Sequence, residues 1–132
     1  MVEFKIGETY SRRQICDALG GTVQSYLPDI DGKVVCGCFD PGDEMNPNAP
    51  EEILFGTAGP SPDINRTADL VYAQGHEGQA IPVFLKRRAN EWEYVGDYLC
   101  IGITRDARVV ARKMADNPAR GAFHGVLRFE KV

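Results

Sequence analysis

Two stretches rich in β-branched and aromatic residues, 81–86 and 92–103, are joined by a short link through Arg87, Arg88, Ala89 and Asn90 that ends at Glu91. A link that short allows one geometry, an antiparallel hairpin, because parallel neighbours need a crossover of a dozen residues or more. The simplest reading is therefore a long antiparallel hairpin belonging to a sheet. Phe84, Trp92 and Tyr94 place rings on that unit, and Lys86, Arg87 and Arg88 place cations beside them.

The remaining elements arrange themselves around this hairpin. Ser11 is a good N-cap, Gln14 stands where the return arm of a capping box belongs, and Tyr10 and Ile15 have hydrophobic-staple spacing. Ile15, Ala18 and Leu19 form an apolar stripe and Gly20-Gly21 ends it, which predicts a helix over 12–19 opening on Arg12 and Arg13. Asp31-Gly32 signals a tight hairpin between short strands in the 22–58 region, with 33–39 and 52–56 reading as extended. Residues 40–50 carry three prolines and several turn formers, so a surface loop is expected there. A second irregular stretch is expected over 59–67, and 68–76 ends in small and polar residues that invite close approach of a ligand. A second helix is expected over 104–116, with Ala107, Val110, Ala111 and Met114 on one stripe and Arg105, Arg108 and Arg112 on another. Residues 126–132 read as a closing strand.

At 132 residues the chain is long enough for one domain that buries roughly two-thirds of its unfolded surface without a disulfide or metal staple. No repeat and no linker divides it, so a single domain over 1–132 is expected. No apolar run approaches the roughly 20 residues a membrane helix needs. The start lacks the pattern of a secretory signal, which points to an intracellular location, cytoplasmic or nuclear in a eukaryote, and to reduced cysteines. Cys36-Gly37-Cys38 lacks the two-residue gap of zinc knuckles and redox motifs, and its thiols are expected on one face of an extended run as small apolar groups. No metal or cofactor is expected.

The net charge of −4 conceals a split. Residues 1–83 hold 5 Lys and Arg against 13 Asp and Glu, giving −8, whereas 84–132 hold 10 against 6, giving +4. A polyanion meets the second part first. Arg105, Arg108 and Arg112, with Arg12, Arg13, Arg87 and Arg88, are the candidate phosphate contacts. Tyr72, Trp92 and Tyr94 are candidate stacking platforms, and Asp69 and Gln74 candidate partners for a base edge. Catalysis has little support: His76 and His124 belong to no nucleophile signature, and no phosphate loop or zinc-protease helix is present.

The run Tyr10-Ser11-Arg12-Arg13-Gln14-Ile15 before Gly20-Gly21, then Ile53-Leu54-Phe55-Gly56, Tyr72-Ala73-Gln74-Gly75, Ile81 to Arg87 and Glu93-Tyr94-Val95-Gly96, resembles the SRA-like domains of the PUA superfamily, which accompany HNH nucleases or follow helicases. The resemblance covers residues 4–103. It implies an α+β fold, a partly open β-barrel of mostly antiparallel strands with two flanking helices, and a noncatalytic role in reading DNA, often at a modified base. Cleavage in such systems belongs to a separate nuclease. Two other readings stand beside it: a protein-interaction or regulatory module on the same barrel, motivated by the acidic first part, and a small hydrolase or nuclease centred on His76.

Overall fold

The computed structural model describes residues 3–22, 25–43, 46–56, 62–118 and 121–132. Its elements are β1 (Thr9–Tyr10), α1 (Arg12–Leu19), β2 (Asp29–Ile30), β3 (Lys33–Val34), β4 (Gly37–Phe39), β5 (Glu52–Phe55), α2 (Pro62–His76), β6 (Ile81–Arg88), β7 (Glu91–Thr104), α3 (Ala107–Asp116) and β8 (Gly125–Lys131). The main sheet runs β4-β6-β7-β8-β5, with β1 added to β7, and curls into a half-barrel. Only β4 and β6 run parallel among the described pairings. The α+β, partly open barrel expected from the sequence is the fold observed.

The hairpin forms as expected, from Ile81↔Tyr98 to Arg88↔Glu91. Its link is tighter than the sequence suggests: Arg87 and Arg88 belong to β6, only Ala89 and Asn90 turn the chain, and Asn90 takes φ 58°. The register slips between Lys86 and Arg88, so Arg87 is an extra residue in the strand. The Asp31-Gly32 turn also forms, both residues having positive φ as a two-residue type I′ turn requires. In α1 both arms of the capping box are made, with the Ser11 side chain accepting from the Gln14 N–H and the Gln14 side chain accepting from the Ser11 N–H.

Three expectations change. Pro62–His76 is a 15-residue helix, so three helices flank the sheet rather than two. Proline fits a first helical position, where its missing N–H has no intrahelical partner to lose. Residues 59–61 of the expected irregular stretch lie outside the described residues. Gly75 does serve a close approach, though not to a ligand: a Cβ there would collide with the backbone of Cys100 on β7. In the 40–50 segment a 3-10 turn occupies Pro41–Asp43, and Asn46 and Pro50 are buried. Asn46 Oδ1 accepts the Leu54 N–H at 2.7 Å, which ties the loop to β5.

Three apolar clusters hold the layers together. The largest gathers Phe39, Ile53, Phe55, Val83 and Leu127 under α2, which contributes Ala68 and Val71. The second sits beneath α1 and joins Ile15 to Phe84 and Trp92, with Cys36 and Cys38 packed among them as expected. The third is small: Leu54, Phe123 and Val126, with Val110 of α3 against them. Helix α3 therefore rests lightly on the sheet, with none of its residues fully buried.

Candidate nucleic-acid interface

The Asp106 carboxylate accepts the N–H groups of Arg108 at 2.8 Å and Val109 at 3.4 Å. This cap starts α3 at Ala107, later than expected, and leaves Arg105 outside the helix. Arg105 stays exposed but leaves the helical stripe. It pairs with Asp69 at 3.0 Å and its guanidinium lies 5.2 Å from the Phe55 ring centroid. The expected apolar stripe is also rotated: Ala107, Ala111 and Met114 are exposed, and Val109, Val110 and Lys113 face the sheet.

Two arginines of the expected cationic stripe remain on the helix. Arg108 and Arg112 stand one turn apart, both exposed, with no ion-pair partner among the described residues. Lys113 points the other way, and its Nζ donates to Glu52 Oε2 of β5 at 2.7 Å. Between α3 and the sheet lies a cleft of about 530 Å³, inside the few-hundred to thousand Å³ range of small-ligand sites. Ile103, Val109 and Val126 form its apolar wall, and Glu52, Lys113 and Arg128 its polar one. Arg128 pairs across the sheet with Glu52 on one side and Gly102 on the other. Directly opposed residues share a face, so Arg128 stands beside the carboxylate, and Gly102 leaves the neighbouring position without a side chain.

Sequence reasoning does not single out Glu52, Lys113 or Arg128. Lys113 belongs to the same basic run as Arg112, but nothing local shows that it turns inward. The opposition of Glu52 and Arg128 depends on a strand pairing that spans most of the chain.

The other sequence candidates fall into separate places. Arg12 donates to the carbonyls of Thr22 at 3.0 Å and Ser25 at 2.7 Å while its guanidinium covers the Trp92 ring at 5.1 Å. Lys86 lies 5.9 Å from the same ring, which is itself buried. Arg13 is exposed on α1. Arg87 pairs with Glu93 at 2.9 Å, and Arg88 lies 3.8 Å from Glu91 with its side chain 83% exposed. On α2, Asp69 holds Arg105, Tyr72 is exposed, and Gln74 is buried with its amide bonded to the backbone of Val34. Tyr94 packs on Phe4 and Phe84, and its hydroxyl donates to Asp97 at 2.7 Å. Burial, then that bond and the neighbouring charge, push the Tyr94 hydroxyl up to about 12. Asp69, Tyr72 and Gln74 thus share a helix, whereas Trp92 and Tyr94 belong to the cluster at the α1 end of β7.

The remaining chemistry is quiet. Cys36 and Cys38 lie 3.9 Å apart at sulfur, and the contact with Cys38, then burial, raises the Cys36 thiol above its ordinary value. His76 is exposed at the end of α2. No cluster of three His, Cys, Asp or Glu side chains suited to a metal forms among the described residues, and none of the described helices is long and apolar enough to cross a membrane.

A solved structure shares this fold, and another aligns less well. One, "Sulfur binding domain and SRA domain of ScoMcrA complexed with phosphorothioated DNA", aligns at TM-score 0.54 and 17% identity over 97% of this chain and 39% of that one. Another, "Structure of the Type IV phosphorothioation-dependent restriction endonuclease ScoMcrA", aligns at TM-score 0.49 and 19% identity over 77% of this chain and 20% of that one. The chain thus spans well under half the length of either. No curated protein matches the sequence. A family model described as "Domain of unknown function (DUF6697)" matches residues 9–119, most of the length, and the chain belongs to that family.

Proposed function

We propose that this chain is a noncatalytic nucleic-acid-binding domain, a single PUA-like unit over residues 1–132, that prefers DNA and reads a modified base inside the cell. The observation that carries the reading is the exposed pair Arg108 and Arg112, without an ion-pair partner among the described residues, on a lightly held helix beside a nucleotide-sized cleft. Cations one helical turn apart suit successive phosphates, and the cleft offers room for a base taken out of its stack. Arg13 and Arg88 offer further exposed cations at the other end of β7, and Arg87 stands with them while still paired with Glu93. Arg12 and Arg105 reach a phosphate only by giving up the bonds that hold them in the fold. The shared fold of the ScoMcrA fragment complexed with phosphorothioated DNA supports the preference for DNA. In this reading a separate nuclease or other protein partner supplies any cleavage.

Fluorescence anisotropy with labelled single- and double-stranded DNA and RNA tests the proposal, with and without modified cytosine, modified adenine or phosphorothioate linkages. Preference for one modified DNA supports it in full. Equal weak binding that vanishes at moderate salt reduces the surface to a generic cationic face, and no binding at low salt refutes it.

A further inference from the structure

The cleft beneath α3 holds an ion pair that a purely structural contact does not require. Glu52 and Lys113 meet at 2.7 Å with 17% and 31% of their side chains exposed, and both line the open cleft rather than a sealed core. A carboxylate has about four acceptor sites and an ammonium three donors. Glu52 uses one site on Lys113 and a long 3.4 Å contact on Asn48, and Lys113 makes no second ion pair among the described residues. Accepting capacity and donating capacity therefore remain side by side, facing a space walled by Ile103, Val109 and Val126.

The complementary ligand is a flat ring whose edge presents neighbouring N–H donors followed by a carbonyl acceptor. Among the unmodified bases only guanine has that edge: two adjacent donors, N1–H and N2–H, suit the carboxylate, and O6 suits the ammonium. Adenine and cytosine each bring one exocyclic donor beside a ring acceptor, and leave Glu52 or Lys113 incompletely matched. Thymine brings a single donor between two acceptors. Arg128, opposite Glu52 in the strand register and without an ion-pair partner among the described residues, supplies a cation within the same cleft for a phosphate.

Resting on the nucleic-acid reading above, we infer that the cleft between α3 and strands β5, β7 and β8 is a guanine-nucleotide site, with Glu52 and Lys113 reading the base edge, the apolar wall supporting the ring and Arg128 meeting the phosphate. The nucleotide is either free or extruded from a strand, since both present the same chemistry.

Calorimetric titration of the full chain with GMP, IMP, AMP and CMP tests the site without a strand. A second arm uses duplexes carrying either guanine or adenine opposite an abasic position. GMP is expected to bind at least about tenfold more tightly than AMP, with IMP between them because it lacks the N2 amino group. Glu52→Gln keeps the shape of the side chain and should abolish the guanine preference, and Arg128→Met should weaken GMP while leaving guanosine unchanged. A thermal melt of each variant establishes folding. Equal affinity for GMP and AMP, or a preference that survives in folded Glu52→Gln, overturns the assignment. Guanine-selective binding of the free nucleotide with no strand binding would leave the site standing and remove the nucleic-acid reading. Strand binding without guanine selectivity in either arm would do the reverse.

Discussion

Gln74 on α2 satisfies both backbone polar groups of Val34 across 40 residues of chain, accepting its N–H at 2.7 Å and donating to its carbonyl at 3.0 Å. Both residues are buried, so water cannot replace the side chain. Gln74→Ala leaves two buried groups without partners and should lower stability by about 3 kcal/mol. Urea unfolding reads this directly, and a loss below about 1 kcal/mol would show that the β2–β3 hairpin is held by other contacts.

Gly75, the next residue, sets two effects against each other. Alanine is the better helix former by about 1 kcal/mol, but its Cβ meets the backbone of Cys100, which has no rotamer to move aside. Overpacking of this kind costs typically 1–3 kcal/mol, so Gly75→Ala should be net destabilising. A variant at least as stable as the wild type would mean that α2 sits farther from β7.

Trp92 is the single tryptophan and lies beneath Arg12, so its emission reports on that contact. Arg12→Ala removes the cation over the ring and two hydrogen bonds to the carbonyls of Thr22 and Ser25. A red-shifted emission and a loss of about 2 kcal/mol are expected. Unchanged emission would contradict the stacked arrangement.

Tyr94 makes stability depend on alkaline pH. Its folded-state value rises from an ordinary 10.0 to about 12, because burial and then the bond to Asp97 favour the protonated hydroxyl. A raised value gives stability that is fully present below pH 10 and lost as pH rises from 10 towards 12. Urea midpoints at pH 9 and 11 should therefore differ more in the wild type than in Tyr94→Phe. Some slope should persist in the variant, since burial also raises Tyr98. Equal slopes in the two proteins would overturn the assignment.

What the sequence reveals and conceals follows the range of the interactions involved. The α1 capping box, the Asp31-Gly32 turn and the central hairpin depend on residues a few positions apart, and each is visible locally. Helix α2 is concealed because Pro60, Pro62, Asn65 and Gly75 argue for loop, whereas burial of Ala68 and Val71 against the sheet overrides that preference. The cationic stripe is legible only in part. Composition places arginines near α3, but the Asp106 cap and the Asp69 ion pair, which decide that Arg105 leaves the stripe, depend on fold geometry. The Glu52, Lys113 and Arg128 grouping is less legible still, since it requires the β5–β8 pairing and the inward turn of Lys113.

The central claim is that Arg108 and Arg112 contact nucleic-acid phosphates, and a salt titration of duplex DNA affinity tests it most directly. With Arg108→Gln and Arg112→Gln together, the slope of log affinity against log salt should flatten by about 2, roughly one unit for each lost contact. Affinity at low salt should fall in parallel, while the thermal midpoint stays unchanged because neither side chain has an ion-pair partner among the described residues. A double variant whose slope and affinity match those of the wild type would contradict the account.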